Sequence, residues 1–216
     1  MLGLMTPYLD ALRPWINGPA DPTSQHDPTL EWLVEVDAET DASKPWLAES
    51  WTLGADGRSW HVTLQQGVLS QHGYGAFTAR DVVHTPALWC NERDPGRKAP
   101  SSRGYREGMC AVQRLAVVHD HEIVRHGQVP CLAMPWSSSS AANVLIVRTA
   151  QWDKDGERGY ERTPAGTGPY RCPERQLSRD VLDERAPPPH WKAGVMDGHA
   201  RQMTWPLEEP TRVAPR

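Results

Sequence analysis

Long apolar runs are missing from this chain. No stretch approaches the ~20 residues a membrane-spanning helix needs, so insertion in a bilayer is not expected. The opening MLGLMTPYLDALRPW lacks a basic lead, and Thr6, Pro7 and Asp10 break its apolar part, which excludes the usual pattern of a secretory signal. Cysteine is scarce and late. The four begin at Cys90, so none lies near the start for lipid attachment. The first three lie about twenty residues apart, without the close C-x-x-C pairing that structural zinc sites favour. An excess of basic residues is also missing: 23 Lys and Arg against 27 Asp and Glu give a formal charge of −4, with no footprint for nucleic acid. No G-x-S-x-G elbow is present for a serine nucleophile. Gly166-Thr167-Gly168 resembles a phosphate loop, but the Lys-Ser/Thr such a loop requires is absent and Pro169 removes a donor. Turn chemistry is the simpler expectation there.

What is present points to a turn-rich globule. Twenty Pro and seventeen Gly among 216 residues imply many turns and few long helices. The length allows one large domain or two small ones and suffices to bury a core. Hydrophobic residues make up 38%, with ten Trp but a single Phe, and the mean hydropathy of −0.61 is low for a well-packed globule.

The most ordered pattern runs from Pro45 to Val83. Trp51 and Leu53 alternate with polar neighbours, Asp56-Gly57 supplies a turn, and Trp60, Val62 and Leu64 then share one face of a second strand. A loop with Gly67, Gly73 and Gly75 follows. Thr78 is placed as the N-cap of a helix, with Asp81 in its first turn where the dipole favours an anion. Pro86 falls inside that helix, which is therefore expected to stop or kink near Val83.

Elsewhere residues 1–29 are Pro-punctuated loop, with one short helix near 7–12 and Trp15 as core filler. Leu30 to Val36 reads as a short helix or strand, and 38–44 as a polar connector. Residues 92–107 form an exposed loop. Val112 to Val118 and Ile123 to His126, joined at Asp120-His121, form a second hairpin. Ser137 to Ser140 reads as a flexible loop before the apolar Val144 to Val147. Trp152 to Tyr160 is a short helix, and Pro164 to Arg171 turns sharply into a strand. Residues 173–187 supply an edge strand at best. Cys90, Cys110, His119, His121 and Cys131 could be drawn as a zinc site, but free thiols and exposed histidines are the better expectation; the four cysteines could also pair as disulfides in an oxidising compartment, with three possible connectivities and no pair favoured by the spacing. Glu31 and Glu35 could share a helix face as solvated charge. No internal repeat and no catalytic constellation stand out, so the chain is not expected to be an enzyme, to use a cofactor or to hold a metal.

Several blocks together carry a resemblance: EWLVEVD leading to KPWLAESW (Glu31 to Trp51), DGRSWHVTLQQGV (Asp56 to Val68), FTARDVV (Phe77 to Val83), VQRLAVVHDHEIV (Val112 to Val124), and PAGTGPYR (Pro164 to Arg171) followed by ERAPPPHW (Glu184 to Trp191). Their order and spacing are similar to the extracellular solute-binding proteins of family 5, the oligopeptide, dipeptide and nickel receptors of bacterial ABC importers. EEPTR, Glu208 to Arg212, resembles the opening of the family's next helix. The sequence departs from the family at Ser70-Gln71-His72-Gly73, where an apolar-His-Asp-Gly loop is usual, and at Ala186-Pro187, where Asn-Pro is usual.

The resemblance implies a mixed α/β (α+β) fold, part of lobe I of a two-lobed architecture like the type II periplasmic binding proteins. Residues 1–216 would be an incomplete N-terminal lobe, with a lead-in over 1–29, a lobe core over 30–216 and the second lobe absent. It implies capture of a peptide or other small solute, a permease of an ABC transporter as partner, and a periplasmic or extracellular location, membrane-associated through the transporter. Glu31, Trp32 and Trp136 are the candidate solute-binding residues. One lobe alone is expected to bind weakly or not at all. The competing expectations are a truncated, non-functional remnant of such a receptor and a small Cys/His metal-dependent enzyme.

Overall fold

The computed structural model describes residues 29–37, 39–90, 112–139, 142, 144–172, 181–182, 184–185 and 202–203. The expectations for the lead-in, for 92–107, for most of 173–187 and for 208–212 lie outside these residues.

The centre is a four-stranded antiparallel sheet made of two hairpins. The first joins β3 (Ala48–Leu53) to β4 (Ser59–Leu64), and the second joins β5 (Val112–His119) to β6 (Glu122–Gly127). The order is β3-β4-β6-β5, so the hairpins meet through β4 and β6, with Val62 opposite Ile123. Asp56 fixes the first turn. Its carboxylate accepts the N–H groups of Arg58 and Ser59 at 2.9 and 2.8 Å, and Gly57 takes φ 64°. These bonds, the Ser59 hydroxyl foremost, hold the Asp56 carboxyl down at about 2. A shorter pair, β1 (Val34–Val36) and β2 (Ser43–Pro45), precedes the sheet. Asp37 closes its turn, and the Lys44 ammonium, followed by the Thr40 donors, holds that carboxyl well below the usual carboxylate range.

Helix α1 (Ala79–Trp89) begins where the sequence places it, with the Asp81 carboxylate accepting the Thr78 N–H at 2.9 Å. It does not stop at Val83. It runs through Pro86 to Trp89 because tertiary contacts outweigh the lost backbone bond. The fully buried Thr85 hydroxyl donates to Asp81 O at 2.9 Å and accepts Val147 N–H at 3.0 Å, while Val82 and Leu88 are buried in the core. The chain just past the helix is also tied, since Cys90 is disulfide-bonded. The expectation of scattered free thiols therefore holds for Cys131 and Cys172 but not for Cys90.

Two cores form. Leu47, Val62, Leu64, Phe77, Val82, Ile123 and Met134 pack between the sheet and α1. Leu30, Leu88, Leu145, Val147 and Tyr160 form the second, under α3 (Thr149–Arg162). Gly156, with φ 65°, breaks α3 into two short pieces. A four-residue helix, α2 (Met134–Ser137), precedes Ser138 and Ser139. These two serines are buried rather than a flexible loop, because Ser138 O accepts the Val34 N–H at 3.2 Å and Ser139 bridges Val34 in parallel. The chain closes with two-residue strands: β7 (Tyr170–Arg171) pairs with β9 (Glu184–Arg185), and β8 (Val181–Leu182) with β10 (Gln202–Met203).

Asp81 and Arg148 join these parts. Asp81 is 1% exposed and pairs with the Arg148 guanidinium. The same carboxylate accepts Thr149 N–H at 2.8 Å at the start of α3, and Arg148 donates from Nη2 to Tyr74 O at 2.9 Å in the glycine loop. Removing one partner leaves a buried charge without its counter-ion, so Asp81→Ala is expected to lower unfolding free energy by about 3–5 kcal/mol, read from urea denaturation.

His84 adds a pH dependence. Its Nε2 is buried without a partner and its ring lies 5.9 Å from that of Trp152. Burial pushes its pKa below 6.5, more than Asp153 and Asp81 raise it. The unfolded chain then binds this proton more tightly than the folded one. Stability is expected to be full above about pH 6.5 and to fall as the pH drops toward the lower folded-state value, and His84→Gln should flatten that decline in urea titrations at several pH values.

Candidate functional site

The two cores are sewn together by residues 29–34. This segment is extended rather than helical, and its backbone is bonded on both sides. Leu47 N–H and Ala48 N–H donate to Trp32 O and Leu33 O at 3.4 and 2.8 Å. On the other side Ile146 N–H donates to Glu31 O at 2.8 Å and Gly168 N–H to Thr29 O at 3.0 Å. Glu31 and Glu35 therefore do not share a helix face as solvated charge. Each carboxylate holds a different indole: Trp46 Nε1 donates to Glu31 at 2.9 Å and Trp32 Nε1 to Glu35 at 2.6 Å. The two rings lie 6.5 Å apart at 32°. Glu31 is 3% exposed, whereas Trp32 and Trp46 are half-buried, Trp46 against the first core and Trp32 against the second. The result is an aromatic pair across the seam, with both N–H groups committed to carboxylates.

The Pro164 to Arg171 segment lies against the same seam and is held by two buried amides. Gln71 donates to Gly168 O and Tyr170 O at 2.9 and 2.5 Å and accepts Gly166 N–H at 3.3 Å. Gln151 donates to Thr163 O at 2.6 Å and accepts Ala165 N–H at 2.8 Å. Gly166 is required by close approach, because a Cβ there would lie 1.8 Å from Thr29 O. Turn and packing chemistry thus account for this loop.

A separate cavity of about 30 Å³ lies between α1 and the sheet, lined by Leu33, Val82, Met134 and Ile146 with Arg125. It has room for about two waters, not for a peptide. Among the described residues no group of His, Cys, Asp and Glu is placed to hold a metal ion. His119 instead donates from Nε2 to Glu122 at 3.0 Å and accepts the His121 N–H at 3.2 Å.

Of the residues singled out from sequence, Glu31 and Trp32 come together. Trp136 belongs to α2, which precedes the serines that meet β1, and its side chain lies outside the described residues. Trp46, Gln71 and Gln151 were not among the candidate site residues, and Glu35 was expected only as solvated charge. Trp46 stands inside the KPWLAESW block, and Gln71 is the departure in the glycine loop, so both carried a signal. Gln151 carried none.

This architecture is shared with bacterial periplasmic binding proteins. HbpA2 of Haemophilus parasuis superposes with a TM-score of 0.69 at 19% identity, covering 84% of this chain and 38% of that one. The periplasmic binding protein DppA of Helicobacter pylori, solved with the peptide STSA, gives 0.66 at 19%, covering 82% and 37%. A nickel ABC transporter protein of Bacillus halodurans gives 0.65 at 22%, covering 85% and 34%. The mixed α/β fold is that of the type II periplasmic binding proteins.

In sequence, residues 42–195 match the model of bacterial extracellular solute-binding proteins, family 5, middle region. Di/tripeptide-binding protein 2 of Pseudomonas aeruginosa is 28% identical over 163 residues, which cover 68% of this chain and 30% of that protein. The chain belongs to family 5 of the bacterial extracellular solute-binding proteins. That is a family of extracellular solute-binding proteins rather than enzymes. The chain spans under a third of the length of the curated relative it matches. No helix among the described residues is long and apolar enough to cross a membrane.

Gly166→Ala should drive the loop off the seam. The expected outcome is a loss of about 3 kcal/mol or more in urea denaturation, with faster amide exchange at Gly168, since the clash is with backbone that cannot step aside.

Proposed function

We propose that this chain acts in solute capture for an ABC-type importer, binding a peptide or similar small solute and passing it to a membrane permease. The family match over residues 42–195 carries this reading. The names of its relatives agree with it: one is a di/tripeptide-binding protein and another was solved with a bound peptide. Capture takes place in the periplasm or outside the cell, with membrane association through the transporter. The disulfide at Cys90 supports an oxidising compartment.

In this reading residues 30–216 form the core of one lobe, residues 1–29 lead into it, and the solute lies in a cleft between this lobe and an opposing one. Trp32 offers the solute an apolar ring face. Glu31 acts through Trp46, whose indole it holds, and Trp136 contributes a further aromatic group. A single wall leaves one side of an extended peptide in water, so most of the binding free energy available on closure is not realised.

Calorimetric titration of the 216-residue chain with a pool of short peptides is expected to give dissociation constants no tighter than about 0.1 mM, with tryptophan fluorescence responding over the same range. Trp32→Leu should abolish the fluorescence response. Micromolar affinity would contradict the one-wall arrangement, and a response unchanged in Trp32→Leu would remove Trp32 from the site.

A further inference from the structure

We propose that the inner face of the four-stranded sheet carries a second site, for a short aliphatic monocarboxylate, anchored by Arg125. This site stands apart from the tryptophan pair and does not depend on the importer reading.

Arg125 lies on a central strand, β6, directly opposite Trp60 on β4 and Leu115 on β5, and it lines the cavity beneath α1. A guanidinium carries five N–H donors in a planar fork that matches a carboxylate. Here one donor is bonded, from Nη1 to Ser137 Oγ at 2.8 Å. Among the described residues no carboxylate faces it, and burial pushes the guanidinium pKa down more than the Cys131 thiol raises it. Inward-facing charges are normally paired, since an unpaired one costs desolvation without return. An arginine left in this state on the core side of a sheet points to a counter-ion that none of the described residues provides.

The rest of the lining selects which anion. Leu33, Met134 and Ile146 are aliphatic or thioether side chains, and the cavity of about 30 Å³ is partly open to solvent. The nearby hydroxyls are already committed: Thr85 to Asp81 O and Val147 N–H, and Ser138 to Met134 Sδ. A phosphate seated here would turn its remaining oxygens toward carbon, with no donor to meet them. A carboxylate spends both oxygens on the guanidinium fork. The apolar lining beside the guanidinium suits a short aliphatic tail, for which propionate is the probe.

The test is thermal unfolding of the full chain in sodium propionate, sodium phosphate or sodium chloride at matched ionic strength and pH. Propionate at about 50 mM is expected to raise the midpoint by on the order of 3 °C over chloride, with phosphate close to chloride. Arg125→Met should lose the propionate shift while melting no lower than the parent chain in chloride, and Ser137→Ala should keep the shift. Should Arg125→Met not fold, Arg125→Lys, which keeps the charge without the fork, is expected to show less than half the shift. The proposal is overturned by no propionate shift, by equal shifts from propionate and phosphate, or by a full shift in either Arg125 variant.

Discussion

One buried ion pair brings two helices, the glycine loop and the Val144 to Val147 segment to one point. Asp81 begins α1 by accepting from Thr78 and begins α3 by accepting from Thr149, and its remaining capacity goes to Arg148. Arg148 in turn clamps the carbonyl of Tyr74, so the glycine loop is fixed to the same centre. Charges this deeply placed are costly to desolvate, and the cost is offset only when nearly every lone pair and proton is used. Here they are. The two helices can therefore start beside each other, and the buried Val144 to Val147 segment can run between the two cores.

The sheet and the start of α1 were legible because their signals are local. Alternation over Trp60, Val62 and Leu64, the Asp56-Gly57 turn, and the Thr78 and Asp81 pair each act within a few residues, and the structure keeps them. What escaped depends on partners far along the chain. Pro86 was expected to stop or kink its helix near Val83, but Thr85 is held by Val147 and the helix runs on to Trp89. Ser138 and Ser139 looked like loop because nothing near them in sequence shows that Val34 will bond there. Glu31 and Glu35 looked like solvated charge because their indole partners are set by the path of an extended segment, which a four-residue spacing does not reveal. The block order around PAGTGPYR pointed to the family, yet said nothing of the two glutamines that hold that loop.

The departure from the family pattern at residues 70–73 is absorbed rather than left as a defect. At Ser70-Gln71-His72-Gly73 the glutamine serves three backbone groups of the 166–170 loop, and His72 and Gly73 both take positive φ to complete the turn. A polar replacement in a packed region stabilises only if its hydrogen bonds are complete. Gln71 meets that condition.

The seam at residues 29–34 also sets an order of events during synthesis. Its earliest residue, Thr29, waits for Gly168, about 140 residues later, and at bacterial elongation rates this is a delay on the order of 10 s. Through that interval the β3–β4 hairpin can close on itself, but Trp32 and Trp46 have only part of their final surroundings. A nascent chain in this state presents an unfinished aromatic surface, the kind of segment that holding chaperones recognise, until the glycine-threonine-glycine turn leaves the ribosome and locks it down.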